Sequence, residues 1–412
     1  MARYPPWLIA ISFSQGGALL VFMSFAGALP LIQAEWGLTN VQAGAIQSAG
    51  QVGYVLAVLV SASLTDYIDP KRMIVGGVIM TGISNLLFAG FAADTTSAVI
   101  FRALVGFGIA GIYMPGMKLI SQRIPAADRG GAVGFFVAFF TLGAAVSIAL
   151  GGILASVLGW RTAFALMTAG PIVGTYISWR HLPAGAARPN ASGKPRPIRE
   201  LLSNRAALAV ILIYVCHGWE VLGMRSWLAA FLTAVRTEAG LDLSAATRSG
   251  SAIAGLATVV AAFATAGIGA VSDRVSRVKL TAAAMILGFI FILLLGWSAH
   301  LPWGIVVTFS LVAAFVTNAD SAVISTQLTE VVPQDLLGRT LAIYSFLGFT
   351  SGSISPLVFG ATLDYTGAHP VTGFLDPWTW AFATFAAASV VGLGVVIYLR
   401  KTGTKLQDQN GF

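Results

Sequence analysis

A bilayer's hydrocarbon core is crossed by roughly 20 apolar residues in a helix, and this chain repeats an apolar run of that kind twelve times. The runs cover about 8–32, 42–64, 73–93, 97–121, 131–157, 161–180, 206–234, 249–272, 279–300, 303–328, 340–363 and 377–399. This repetition limits the fold severely, because only helices and closed barrels satisfy their backbone groups in lipid. The polar/apolar alternation of a barrel strand is absent, so the predicted class is an all-α membrane protein of 12 transmembrane helices. Composition agrees. Of 412 residues, 57% are hydrophobic and 10% charged, whereas a soluble domain carries about 25% charged residues. The 46 glycines suit close helix approach in a membrane. The first run is too long for a removable signal peptide and lacks its small-residue cleavage pattern, so it is read as a span.

Lysine and arginine set the orientation. With the N-terminus inside, the inner segments hold Lys71 and Arg72, Arg123 and Arg129, the group from Arg180 to Arg205, then Arg274, Arg277, Lys279, Arg339 and Arg400 onward. The outer loops hold only Arg161, Arg236 and Arg248. Both termini are expected in the cytoplasm of a bacterium, with the chain in its inner membrane. The net charge of +8 is then a property of the inner loops and calls for no nucleic-acid partner. One cysteine, Cys216, and four scattered histidines offer no disulfide and no metal set. No phosphate loop or nucleophile constellation is present, so neither an enzyme nor a cofactor is expected.

The stretch 183–200, PAGAARPNASGKPRPIRE, is Pro-rich and basic and cannot span. It divides the chain into a six-helix bundle over 1–182, a cytoplasmic linker over 183–205, a second six-helix bundle over 206–400 and a tail over 401–412. An internal repeat supports the division. Ala62 to Arg72 (ASLTDYIDPKR) and Gly269 to Lys279 (GAVSDRVSRVK) align at an offset of about 207 residues. PAADRGGAVGFF from Pro125 and PQDLLGRTLAIYSF from Pro333 align at about 208.

These two copies resemble the loop motif of the major facilitator superfamily, G-x-L-x-D-R-x-G-R-R/K. The second copy meets it with Gly269, Asp273, Arg274 and Arg277. The first keeps Leu64, Asp66, Lys71 and Arg72, with Tyr67, Asp69 and Pro70 where Arg, Gly and Arg are usual. The resemblance covers essentially the whole chain. It implies two pseudo-twofold bundles around a cavity opening alternately to each side, powered by solute or ion gradients. It also implies a conformational latch at Asp66, Lys71, Arg72, Asp273, Arg274 and Arg277. The alternative reading of these residues is a plain set of positive inner loops.

The residues a bilayer should reject are the informative ones. Arg102, Lys118, Glu220, Arg225 and Asp320 fall within runs, and five ionised, unpaired groups would cost on the order of 15 kcal/mol. The seventh run is densest, with His217, Trp219, Glu220 and Arg225. On a helix His217, Glu220 and Arg225 fall within a roughly 140° arc along about 12 Å of axis. His217 and Glu220 are candidate proton carriers, with Asp320 beside Asn318 in the tenth run; the structural alternative pairs Glu220 with an arginine of a neighbouring helix. Arg225 is the candidate anion contact, because a guanidinium grips a carboxylate with two bonds. Arg102 opens R-x3-G-x-G-x2-G, similar to the family's fourth-helix motif, whose arginine is associated with proton coupling; a purely structural arginine is the alternative. Gln47, Gln51 and Tyr54 form one stripe on the second run, with Gln15 on the first and Tyr344 on the eleventh. These polar residues, with Trp219 and Asn318, are expected either to hydrogen-bond a solute or to join helices.

The drug-antiporter motif of the fifth helix, G-x8-G-x3-G-P-x2-G-G, is met at Gly134, Gly143, Gly151 and Gly152, with Ser147-Ile148 in place of Gly-Pro. Sugar-porter signatures are missing. The seventh-run charges are distantly similar to those of porters for cyanate and other small anions. The leading expectation is a monomeric, proton-coupled secondary transporter of a small organic or inorganic anion, by symport or by exchange. The alternative is a proton-driven exporter of amphipathic drugs or metabolites.

Overall fold

The computed structural model describes residues 4–64, 67–184, 198–272, 274–369 and 376–401. Among them every regular element is helical, and no strand occurs. In chain order these are α1 (Pro6–Leu19), α2 (Ser24–Trp36), α3 (Asn40–Leu64), α4 (Pro70–Phe91), α5 (Thr95–Arg123) and α6 (Ala126–Leu158). Then come α7 (Trp160–Met167), α8 (Ala169–His181), α9 (Ile198–Ser203), α10 (Arg205–Glu238), α11 (Leu243–Val271) and α12 (Arg277–Trp297). The last are α13 (Trp303–Asn318), α14 (Ser321–Val331), α15 (Gln334–Ala368) and α16 (Pro377–Lys401). Among the described residues eleven segments are long and apolar enough to cross a membrane, α1 with α2 and α13 with α14 each counting as one. The sixth run is the exception. It folds as α7 and α8, interrupted at Thr168, and carries Arg161 and Arg180 close to its ends.

Several helices outlast their apolar runs. α11 starts at Leu243 and α15 at Gln334, because helical hydrogen bonding continues into polar flanks that hydropathy does not register. The repeat reappears in the helix starts. α4 begins at Pro70 and α12 at Arg277, while α6 and α15 begin immediately after Pro125 and Pro333. Asp69 and Pro70, which depart from the family's loop pattern, start α4. The Asp69 carboxylate accepts from the Lys71 amide at 2.9 Å, an N-cap, and Pro70 sits where a missing N–H costs nothing.

The chain forms two compact units, Met1–Ala191 with Leu228–Thr258, and Ser192–Trp227 with Val259–Phe412. In the first, small residues bring helices into backbone contact. A side chain at Gly106 of α5 would run into the Gly50 carbonyl and Tyr54 amide of α3. In the second, Val210, Met285, Ile324, Leu328, Leu336 and Val396 build a core from α10, α12, α14, α15 and α16.

Among the described residues three apolar runs are broken, and each break is serviced by polar side chains from other helices. Between α1 and α2, residues 20–23 leave the helical ladder. The Ser147 hydroxyl donates to Leu20 O at 2.6 Å and accepts from the Met23 amide at 3.1 Å. Arg102, 3% exposed, donates to Val21 O at 2.8 Å and also to Phe22 O. Its guanidinium lies over the Phe25 and Phe88 rings. Between α7 and α8, Asn85 donates to Phe164 O at 2.7 Å and to the Thr168 hydroxyl at 2.9 Å. Between α13 and α14, Thr265 donates to Asn318 O at 3.0 Å.

Two predictions follow from this packing. Arg102→Ala strands two buried carbonyls at about 1–3 kcal/mol each, so the unfolding temperature in detergent should fall clearly; an unchanged midpoint contradicts the bracing role. Gly106→Val forces α3 and α5 apart at an overpacking cost of about 1–3 kcal/mol or more. It should reduce monodisperse protein on size exclusion, where Gly106→Ala does so less.

Candidate functional site

The seventh run folds as α10 and delivers its three charged residues to separate partners in the second unit. His217 and Glu220 are each 6% exposed and Asp320 is 5% exposed. His217 Nδ1 lies 2.9 Å from Asp320 Oδ1. Asp320 occupies the N-cap position of α14, within the break of the tenth span. Glu220 turns the other way. Its Oε1 accepts from the Ser389 hydroxyl of α16 at 2.5 Å, and Gly288 of α12 leaves the room beside it. The single polar arc expected on this helix is thus divided between the α13–α14 break and the α16 seam.

Arg225 lies two turns further along α10 and is half-buried. Among the described residues its guanidinium makes one hydrogen bond, from Nη2 to Asn318 Oδ1 at 3.3 Å, and no ion pair. Its buried Nε has no partner. A neutral amide leaves the positive charge of Arg225 unneutralised, so this fork can accept an oxyanion with two parallel bonds.

Aromatic residues line the protonatable pair. Tyr214 stacks on His217 at 5.8 Å and on Tyr344 at 3.6 Å between ring centroids. The Tyr344 hydroxyl lies 3.0 Å from the Ser325 hydroxyl of α14. Trp219 is committed to helix packing, its Nε1 donating to Thr384 O of α16 at 3.0 Å.

In the first unit, the stripe on α3 is buried at Gln47, Gln51 and Tyr54. Gln15 is buried on α1 and donates to Phe136 O of α6 at 3.1 Å. Arg102 is held by carbonyls, as described. Among the described residues, no group of three or more His, Cys, Asp or Glu is placed to hold a metal.

Of the latch residues, Asp66 and Asp273 lie outside the described residues. Lys71 is half-buried, while Arg72 and Arg274 are exposed. Arg277 forms an ion pair with Glu330 at 2.6 Å, tying the start of α12 to the end of α14. Glu330 escaped the sequence reading because it lies outside both copies of the loop motif. Thr265, Ser389 and Tyr214 escaped as well. Each is an ordinary residue in a span, and only the packing shows that Ser389 meets Glu220, that Tyr214 stacks on His217 and that Thr265 bonds the Asn318 carbonyl.

Sequence and fold comparisons agree with this architecture. The profile of the major facilitator superfamily matches residues 11–356, and again 225–411. A probable sulfoacetate transporter of Cupriavidus necator is 26% identical over 390 residues, covering 83% of each chain. The 3-(3-hydroxy-phenyl)propionate transporter of Escherichia coli is 29% identical over 191 residues, 46% of this chain and 47% of that one. A bacterial homologue of the human lysosomal transporter Spinster, inward-facing and occupied, superposes with a TM-score of 0.79 at 17% identity, over 97% of this chain and 98% of that one. With spans, repeat and profile in agreement, the chain belongs to the major facilitator superfamily and is a multi-pass membrane transporter, not an enzyme.

Proposed function

We propose that this transporter moves a small organic anion across the bacterial inner membrane in exchange for, or together with, protons, with both termini in the cytoplasm. The observation that carries this reading is Arg225, a guanidinium within a span whose described partner is one neutral amide. An ionised side chain at mid-span costs at least about 2.5–3.5 kcal/mol. An entering carboxylate or sulfonate offsets that cost. The names of relatives support the class: sulfoacetate, hydroxyphenylpropionate and, for a protein of Acinetobacter baylyi, benzoate are all small organic anions.

The proton carriers are assigned to the second unit. The His217–Asp320 pair carries one negative charge with neutral imidazole and none after one proton binds. Glu220, with a serine hydroxyl as its neighbour, is the second carrier. Arg102, Gln15 and Trp219 are assigned to holding helices, since their polar atoms bind backbone carbonyls. Gln47, Gln51, Tyr54 and Tyr344 are kept as polar contacts for the solute. The latch is assigned to Asp66, Lys71 and Arg72 in the first half, and to Asp273, Arg274 and Arg277 with Glu330 in the second. The halves are taken as 1–182 and 206–400, joined by 183–205, in a monomer.

Proteoliposome uptake tests the assignment with labelled sulfoacetate and benzoate under an imposed pH gradient. Accumulation should collapse with a protonophore. Arg225→Ala should lower uptake at least about tenfold, the worth of a charge-assisted bond. Asp320→Asn should keep anion counterflow while losing gradient-driven accumulation. Wild-type rates in Arg225→Ala, or transport of lipophilic cations instead of anions, contradict the reading.

A further inference from the structure

We infer that Thr265 and Asn318 are positioning residues for Arg225, so that affinity for the anion is set at the α13–α14 break as well as by the arginine. This rests on the assignment of Arg225 as the anion contact.

The break makes the arrangement possible. Asn318 is the last residue of α13 and Asp320 occupies the N-cap position of α14. In an unbroken helix the Asn318 carbonyl would accept from the amide four residues on. At the break it accepts from the Thr265 hydroxyl of α11 instead, at 3.0 Å, a proton that the hydroxyl shares with Ala261 O of its own helix at 3.2 Å. That bond fixes the backbone from which the Asn318 side chain projects.

The amide orientation follows from its neighbours. Asn318 Nδ2 donates to Ala314 O at 3.0 Å, and that carbonyl can only accept. The guanidinium can only donate, so Oδ1 must face Arg225. At 3.3 Å this is a long bond for N–H···O. It holds the guanidinium in one direction and yields readily to a stronger, charged acceptor.

The chemistry of residue 318 matters more than its size. An acid here would neutralise Arg225 from within and compete with the solute. The nearby acid, Asp320, sits on the far side of the break and is engaged by His217 instead. The break therefore sends a neutral acceptor to the arginine and a carboxylate to the imidazole, from positions only two residues apart.

Uptake kinetics of labelled sulfoacetate and benzoate in proteoliposomes test this. Asn318→Asp should raise KM at least about tenfold, as an internal ion pair replaces a neutral bond, with the maximal rate changed much less. Thr265→Val should raise KM in the same direction, and Thr265→Ser should restore it. If Asn318→Asp does not fold, the Thr265 pair carries the test alone. KM within twofold of wild type in whichever of Asn318→Asp and Thr265→Val folds overturns the inference. So does a loss confined to the maximal rate. Arg225→Ala separates the two levels. If it transports normally, the anion assignment itself fails. If it is inactive while the folded Asn318 and Thr265 variants keep wild-type KM, the positioning role alone fails.

Discussion

In lipid, a backbone that leaves the helical ladder must find its hydrogen bonds within the protein. The rest of this structure depends on that constraint. Among the described residues three apolar runs are interrupted, at residues 20–23, at Thr168 and at 319–320, and each interruption recruits a polar side chain from another helix. Arg102 and Ser147 serve the first, Asn85 the second and Thr265 the third. Residues that look expensive in a membrane thus become the means by which its helices are joined.

Arg102 and Arg225 show how the same residue type reaches two ends. Arg102 places its guanidinium on backbone carbonyls and two phenylalanine rings. Two carbonyl dipoles and two aromatic faces supply negative potential to its Nη groups, which leaves less for a solute to add, although its Nε, like that of Arg225, has no described partner. Among the described residues Arg225 has one long bond, to an amide, which is why it is proposed as the anion contact. The proposed function follows from this contrast in electrostatic saturation. The break that holds Asn318 also holds Asp320, so the proposed anion and proton groups share one structural element.

The span positions were legible in the sequence because hydropathy reports burial in hydrocarbon directly. The sixth run was legible as apolar but not as two helices. The breaks were hidden for a physical reason. Pro30, Pro115 and Pro356 lie inside helices that continue through them, whereas the first break falls in Leu20–Met23, which contains neither proline nor glycine. Its location is decided by Arg102 and Ser147, about 80 and 127 residues away. The Ser147 that departs from the drug-antiporter pattern is therefore a working part of the fold. In the candidate site, the helix wheel gathered His217, Glu220 and Arg225 on one arc. It could not show that Glu220 would be drawn to Ser389 of α16 while the other two met the tenth span, because helix rotation and neighbours decide pairing.

The central claim is that a half-buried arginine, held by an amide rather than an acid, receives the negative group of the solute. Crystals soaked with 4-bromobenzoate test it most directly, since anomalous scattering locates the bromine and fixes the direction of the carboxylate. The account predicts the carboxylate oxygens within hydrogen-bonding distance of the Arg225 guanidinium. Bromobenzoate ordered elsewhere, with Arg225 still bonded to Asn318 alone, would contradict it.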